Sequence, residues 1–318
     1  MTAAADGVSR GTVGAWLKLL RLPNHATAVA DVLAGWLIIA RPDVVATPPA
    51  AFWGVAVASL LLYASGMVLN DVFDRELDAV ERPERPLPSG QISPWAAGCV
   101  GWLLMAAGIA AGVSSAVLSG NTETALVVAA LALAIVLYDA RAKSTAAGPW
   151  VMGTCRGLNW LLGVTAAGGV SANPEWLPAI GMGIYVVGIT LFARTEATRS
   201  SRGMLSLATA VMAGGLAVAA GYVVWLAGEG GSAWLIRAGL DNWLLLWGVL
   251  AASVVYRAIR GIVTPEPALV QRAVGNAIMT IITLDASLVL AACGEPWGIV
   301  AFMLLAPFLV GRRFIPPT

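Results

Sequence analysis

Residues 50–78 read AAFWGVAVASLLLYASGMVLNDVFDRELD, an apolar run of membrane-spanning length that ends in four acids within eight residues. A bilayer-crossing helix needs about 20 predominantly apolar residues, and this stretch supplies them before its first charge at Asp71. Outward from it, similar stretches recur near 14–40, 93–117, 122–140, 148–170, 175–197, 203–228, 233–260, 268–292 and 295–311, separated by short polar punctuation. The pattern predicts an all-α fold, a polytopic membrane helical bundle of about nine to ten transmembrane helices in the lipid bilayer.

Composition agrees. The 318 residues are 58% hydrophobic and 12% charged, against roughly 25% charged in soluble domains, and mean hydropathy is +0.80. That balance excludes a soluble enzyme and a disordered chain, and a net charge of +1 offers no field for nucleic acid. Cys99, Cys155 and Cys293 are an odd number, widely spaced in apolar runs, and read as small hydrophobes. His25 is the only histidine, so neither a zinc site nor a serine–histidine dyad is available.

Lys and Arg in short loops stay on the cytoplasmic side. Apart from Arg41, Arg156 and Arg237, every basic residue falls on one side of the ten-span arrangement. Both termini and the polar loops are therefore expected on the cytoplasmic face of the cell's inner membrane, which requires an even number of spans. Residues 1–12 read as a flexible tail, with a single transmembrane domain over 13–313; no signal-peptide pattern follows the basic start.

Asn70, Asp74 and Asp78 are spaced i, i+4, i+8, and Asp71 lies three before Asp74, so a continuing helix places them on one face. Acids at mid-membrane cost about 2.5–3.5 kcal/mol each, less near the interface. A stripe of oxygen ligands held against that cost suits a hard divalent cation such as Mg²⁺, which binds one or two carboxylates plus substrate phosphates. The next segment, Glu81-Arg82-Pro83-Glu84-Arg85-Pro86-Leu87-Pro88-Ser89-Gly90, is proline-punctuated and carries two arginines, whose forks match phosphate oxygens. Together they describe a diphosphate clamp; a juxtamembrane loop with acids and arginines pairing in solvent explains the arginines but not the acid stripe.

At these residues the chain resembles the UbiA superfamily of intramembrane prenyltransferases. Residues 70–78 match its first aspartate-rich motif, NDxxDxxxD, and residues 82–90 match the RxxRPLPSG that follows. Tyr138 and Lys143 look like the family's YxxxxK signature, and Asn24 stands at its first-helix asparagine. The resemblance implies a bundle around a central cavity, Mg²⁺ as cofactor, an isoprenyl diphosphate donor, and an aromatic or other lipophilic acceptor. It assigns Asp71, Asp74 and Asp78, with Asn70, to the metal. Arg82, Arg85 and Lys143 go to the diphosphate, and Asn24, Asn70 and Tyr138 to substrate positioning. Lys143 also has a plain reading, as an i+4 partner of Asp139.

The family's second aspartate-rich motif has no counterpart here. Its region, residues 190–203, holds one acid, Glu196, among Arg194, Arg199 and Arg202. These arginines read either as phosphate binders or as a cytoplasmic loop pairing with Glu196. Arg156 and Asn159, i and i+3 in the fifth span, face one interior and are expected to line the cavity. With Arg194 and Glu196 they are similar to an EboC-like branch, which implies a carrier of a small metabolite precursor as an alternative to prenyl transfer; a terpene cyclase is a third reading. Asp31 and Asp285 are expected as cavity groups or as buried acids satisfied by neighbouring helices. Trp53, Trp95, Trp150, Trp176 and Trp297 read as interfacial anchors, and Trp160 and Trp247 as candidate tunnel walls.

Overall fold

The computed structural model describes residues 13–41, 48–169, 174–194 and 201–314, so the expected tail at 1–12 lies outside the described residues. After a first helix α1 (13–20) come α2 (His25–Ala40), α3 (Ala50–Phe73), α4 (Arg75–Glu81), α5 (Pro94–Ser119) and α6 (Thr122–Leu137). A π turn (Tyr138–Ala142) closes α6 and leads to α7 (Gly148–Ala166), α8 (Leu177–Ala193) and α9 (Arg202–Gly228). The chain ends in α10 (Ala233–Ala238), α11 (Leu240–Val263), α12 (Pro267–Cys293), α13 (Glu295–Met303) and α14 (Leu305–Phe314), with no strand among the described residues.

Eight helical segments are long and apolar enough to cross a membrane. The 19-residue α7 has the length but carries Arg156 and Asn159, and it is not one of the eight. It packs against α2, α6 and α8. Its approach to α2 is so close that Cβ atoms do not fit. A Cβ on Gly163 would strike the Val32 carbonyl and the Trp36 nitrogen, and one on Gly35 would strike the Trp160 carbonyl. Small residues at such crossings are how membrane helices gain dispersion contact.

Three expected spans are interrupted. The first breaks at Arg21, whose backbone is left-handed (φ 47°), because Pro23 has no N–H for the Leu19 carbonyl and α1 cannot continue. The stretch read as 233–260 breaks at Gly239 (φ 83°), so that the long helix runs 240–263. The last breaks at Leu304, three residues before Pro307, whose ring would clash with the Met303 carbonyl.

Polar contacts sort the helix ends into two groups. At one end Arg21 reaches Asp71, Lys143 reaches Asn70, and Gly311 of α14 sits against Pro23. At the other, Arg41 pairs with Glu175 (3.7 Å), Asn121 Nδ2 donates to the Thr165 carbonyl (2.9 Å), and Ser232 Oγ donates to the Ala291 carbonyl (2.6 Å). Of the five tryptophans expected as anchors, Trp53, Trp95, Trp150 and Trp176 are exposed and Trp297 is half-buried. The three cysteines are free and half-buried.

Candidate functional site

A cavity of about 550 Å³ runs from Glu81 and Arg82 at the first group of helix ends to Ser59 and Asn159 inside the bundle. The acid stripe forms one wall of its mouth. Although Asp74 interrupts α3 and α4, its N–H still donates to the Asn70 carbonyl (2.9 Å) and the Asp78 N–H to the Asp74 carbonyl (2.8 Å). The helical register therefore survives the bend, and Asn70, Asp74 and Asp78 all line the cavity.

The arginine loop is folded back onto the bundle. Leu87 and Ile92 are buried in a small cluster with Ala15 and Leu19 of α1, Val68 of α3 and Ala97 of α5. Ser89 Oγ donates to the Arg85 carbonyl (2.7 Å), and Gly90 takes the left-handed turn (φ 75°) that only glycine makes cheaply. This holds Arg85 at 5% exposure, with Nη1 2.7 Å from Asp78 Oδ2 and 3.6 Å from Asp71 Oδ1. Its Nε is buried without an acceptor among the described residues. Arg82 is half-buried, lines the cavity and makes no ion pair among the described residues.

Two of the expected roles look different in three dimensions. Asp71, expected on the metal, does not line the cavity; it is buried behind the stripe, where Arg21 Nη2 donates to its Oδ1 (3.0 Å). Lys143 does not pair with Asp139. The Lys143 N–H closes the π turn on the Tyr138 carbonyl (3.1 Å), and its Nζ lies 2.6 Å from Asp74 Oδ1 and donates to Asn70 Oδ1 (3.3 Å). A regular helix would set residues 138 and 143 on different faces; the wider i→i+5 ring lets Tyr138 line the cavity while Lys143, which does not line it, reaches Asp74 and Asn70.

Among the described residues no three His, Cys, Asp or Glu side chains come together as a metal cage. Asp74 and Asp78, with the Asn70 amide, do fit the donor set of an ion completed by substrate phosphates.

The floor of the cavity is polar again. Arg156 lies with Nε 2.8 Å from Asp31 Oδ2, and it donates from Nη1 to Thr27 Oγ1 (3.2 Å) and from Nη2 to the Thr27 carbonyl (3.0 Å). Asn159 donates to Asp31 Oδ2 (2.8 Å) and to the Ala28 carbonyl (2.9 Å), and accepts from Ser59 Oγ (2.6 Å). Arg156, Asn159, Thr27 and Ser59 line the cavity, whereas Asp31 is fully buried behind them. Asp285 is also fully buried and accepts from Trp160 Nε1 (3.1 Å). One oxygen of each acid is thus held from a neighbouring helix, and neither acid lines the cavity.

Asn24 and Tyr138 line the cavity as well. Arg194 is exposed at the end of α8 and is not among the lining residues; Glu196 and Arg199 lie outside the described residues. Neither candidate tunnel tryptophan lines the cavity. Trp160 is fully buried against Gly35, and Trp247 stacks on Trp243 with ring centroids 5.1 Å apart. Sequence reading missed Arg21 as a site residue, having placed it only as a cytoplasmic charge; the nearby Pro23 was the signal that the chain turns there. It also missed Thr27, Ser59 and Tyr63, whose residue types are ordinary in membrane helices.

The UbiA prenyltransferase family model matches residues 28–284. The digeranylgeranylglyceryl phosphate synthase of Methanothermobacter thermautotrophicus is 33% identical over 162 residues, which is 50% of this chain and 53% of that protein. The chain thus matches about half the length of this relative. Among solved structures, a digeranylgeranylglyceryl phosphate synthase superposes with a TM-score of 0.63 at 20% identity, covering 89% of this chain and 99% of the other. A UbiA homolog from Archaeoglobus fulgidus bound to GPP and Mg²⁺ superposes with a TM-score of 0.55 at 12% identity, covering 91% and 99%. At such identities the superpositions establish the fold.

Proposed function

The chain belongs to the UbiA prenyltransferase family, and from that premise we propose that it transfers an isoprenyl group from its diphosphate to a lipophilic or aromatic acceptor inside the bundle. The observation that carries the reading is the mouth of the cavity. Arg21, Arg82 and Arg85 line it with Asp74 and Asp78, Lys143 pairs with Asp74 without lining it, and both the Arg82 guanidinium and the Arg85 Nε have donors to spare among the described residues.

In this reading the allylic C–O bond breaks with its electron pair leaving on the diphosphate. Arg82, Arg85 and Lys143 receive that charge as fixed donors that need no reorganisation. Arg21 and Arg85 are held in place by Asp71, which makes Asp71 a positioning residue. Asp74 and Asp78, with Asn70, would hold Mg²⁺, which would add to the neutralisation of the leaving group. Leu62, Leu131, Ile135, Val186 and Ile189 wall the middle of the cavity with hydrocarbon, which suits a prenyl chain and keeps water from the cation. Arg156 and Asn159 at the floor offer the polar contact an acceptor needs, with Asn24 and Tyr138 positioning substrate nearer the mouth. The basic helix ends support a reading in which this mouth opens on the cytoplasmic face of the inner membrane. That the relative compared above is named a synthase supports transfer over the carrier reading.

The test uses the purified chain in nanodiscs with geranyl, farnesyl and geranylgeranyl diphosphates, a total lipid and quinone extract as acceptor source, and Mg²⁺ present or chelated. Mg²⁺-dependent pyrophosphate release with a prenylated product, lost in Asp74→Ala, is the expected result. Saturable diphosphate binding with no release for any donor would establish the carrier instead.

A further inference from the structure

Asp139 makes no direct ion pair among the described residues, in a cavity where Asp74 pairs with Lys143 and Asp78 with Arg85. It stands on the π turn that closes α6, is 4% exposed and lines the cavity. Lys143 would be its natural partner four residues on, but the turn carries Lys143 to Asp74. Asp139 Oδ2 is consequently buried with no hydrogen-bond donor among the described residues. Space is kept open in front of it by Gly66, on which a Cβ would stand 4.0 Å from that oxygen.

Its depth is the informative part. Gly66 lies one turn below Asn70 on α3, about 6 Å by helical rise, and Ser59 lies roughly 10 Å deeper still. Asp139 therefore sits below the cations of the mouth and above the polar floor. With a diphosphate at the mouth and an acceptor reaching up from the floor, this is the level at which the allylic carbon and the attacking atom meet. A buried carboxylate oxygen with no donor on it is costly to keep, and a proton delivered at that level satisfies it.

We propose that Asp139 is the general base of the transfer, accepting at Oδ2 the proton that the acceptor's attacking atom gives up. The inference rests on the prenyl-transfer reading above. As the C–O bond to the diphosphate breaks, a hydroxyl oxygen or an electron-rich ring carbon of the acceptor bonds to the allylic carbon. The proton that this atom held passes to Asp139, the electron pair of its O–H or C–H bond stays with the product, and the diphosphate leaves with the pair of the broken bond. The acceptor class is accordingly one whose nucleophilic atom bears a proton, a hydroxyl or an activated arene.

The experiment compares wild type, Asp139→Asn and Asp139→Ala, full chain in nanodiscs with the three diphosphates, Mg²⁺ and the same extract. Product formation is expected to fall about 100-fold or more in both variants, the usual weight of a general base. Acceptor-free pyrophosphate release and the KM for the diphosphate are expected to stay unchanged, and added formate is expected to restore product to Asp139→Ala. Unchanged product, parallel loss of release and product, or an Asp139→Ala variant that formate leaves inactive would each overturn the role. Wild-type release without any prenylated product would overturn it too, while no wild-type release at all would sink the transfer reading beneath it.

Discussion

At the mouth of the cavity Arg82 makes no ion pair among the described residues, whereas at the floor Arg156 lies against Asp31 and donates twice to Thr27 of α2. Both regions contain arginine beside aspartate, yet their partners differ in kind. The mouth draws its groups from a bent helix and a loop; the floor draws its groups from α2, α3 and α7, which cross too closely to move apart. On the proposed reading the same residue pair serves a ligand in one place and is a rivet in the other, and what separates them is Arg82, a cavity-lining cation with no ion pair among the described residues.

That contrast can be broken most strongly at the floor. Asp31→Ala leaves Arg156 buried without its carboxylate, and an apparent melting curve in detergent should show a loss on the order of 3–5 kcal/mol. Combining it with Arg156→Met should recover most of that loss, because two apolar groups replace a broken pair. At the mouth, Arg82→Ala should leave the melting curve unmoved and weaken donor binding by about 1.5–3 kcal/mol, the range for hydrogen bonds to a charged group, read as a raised KM for the diphosphate. A smaller effect is expected at Thr27→Val, which keeps the shape and removes one acceptor from Arg156; about 1 kcal/mol of stability should go, with donor KM unchanged. An Arg82→Ala variant that melted early would put the mouth in the same structural class as the floor.

The spans could be read from composition because hydrocarbon length is a one-dimensional property, and the register of Asn70, Asp74 and Asp78 because helical spacing is local. Asp71 shows where that reading stops. It shares the stripe's spacing, but its partner Arg21 is fifty residues away on a turn that exists only because α1 cannot pass Pro23. Lys143 fails differently: one extra residue per turn at 138–142 switches its partner from Asp139 to Asp74, and periodicity at 3.6 has no means to announce a π turn. Arg156 was legible as an interior charge, while its counter-ion Asp31 became legible only once α2 and α7 were seen to touch. The interruption at Leu304 was in principle available from Pro307.

The seam between α14 and the start of α2 has a consequence for how the protein is made. Phe308 packs with Ala30 and Ile282, and Gly311 lies against Pro23. A helix that leaves the ribosome early thus owes part of its covering to one that leaves very late, with nearly the whole bundle threaded into lipid between them. Until then the flank of α2 at Ala30 must be shielded by lipid or by the insertion machinery. The last step of assembling this bundle is for that reason expected to wait for α14, and to be slow relative to the insertion of any single helix.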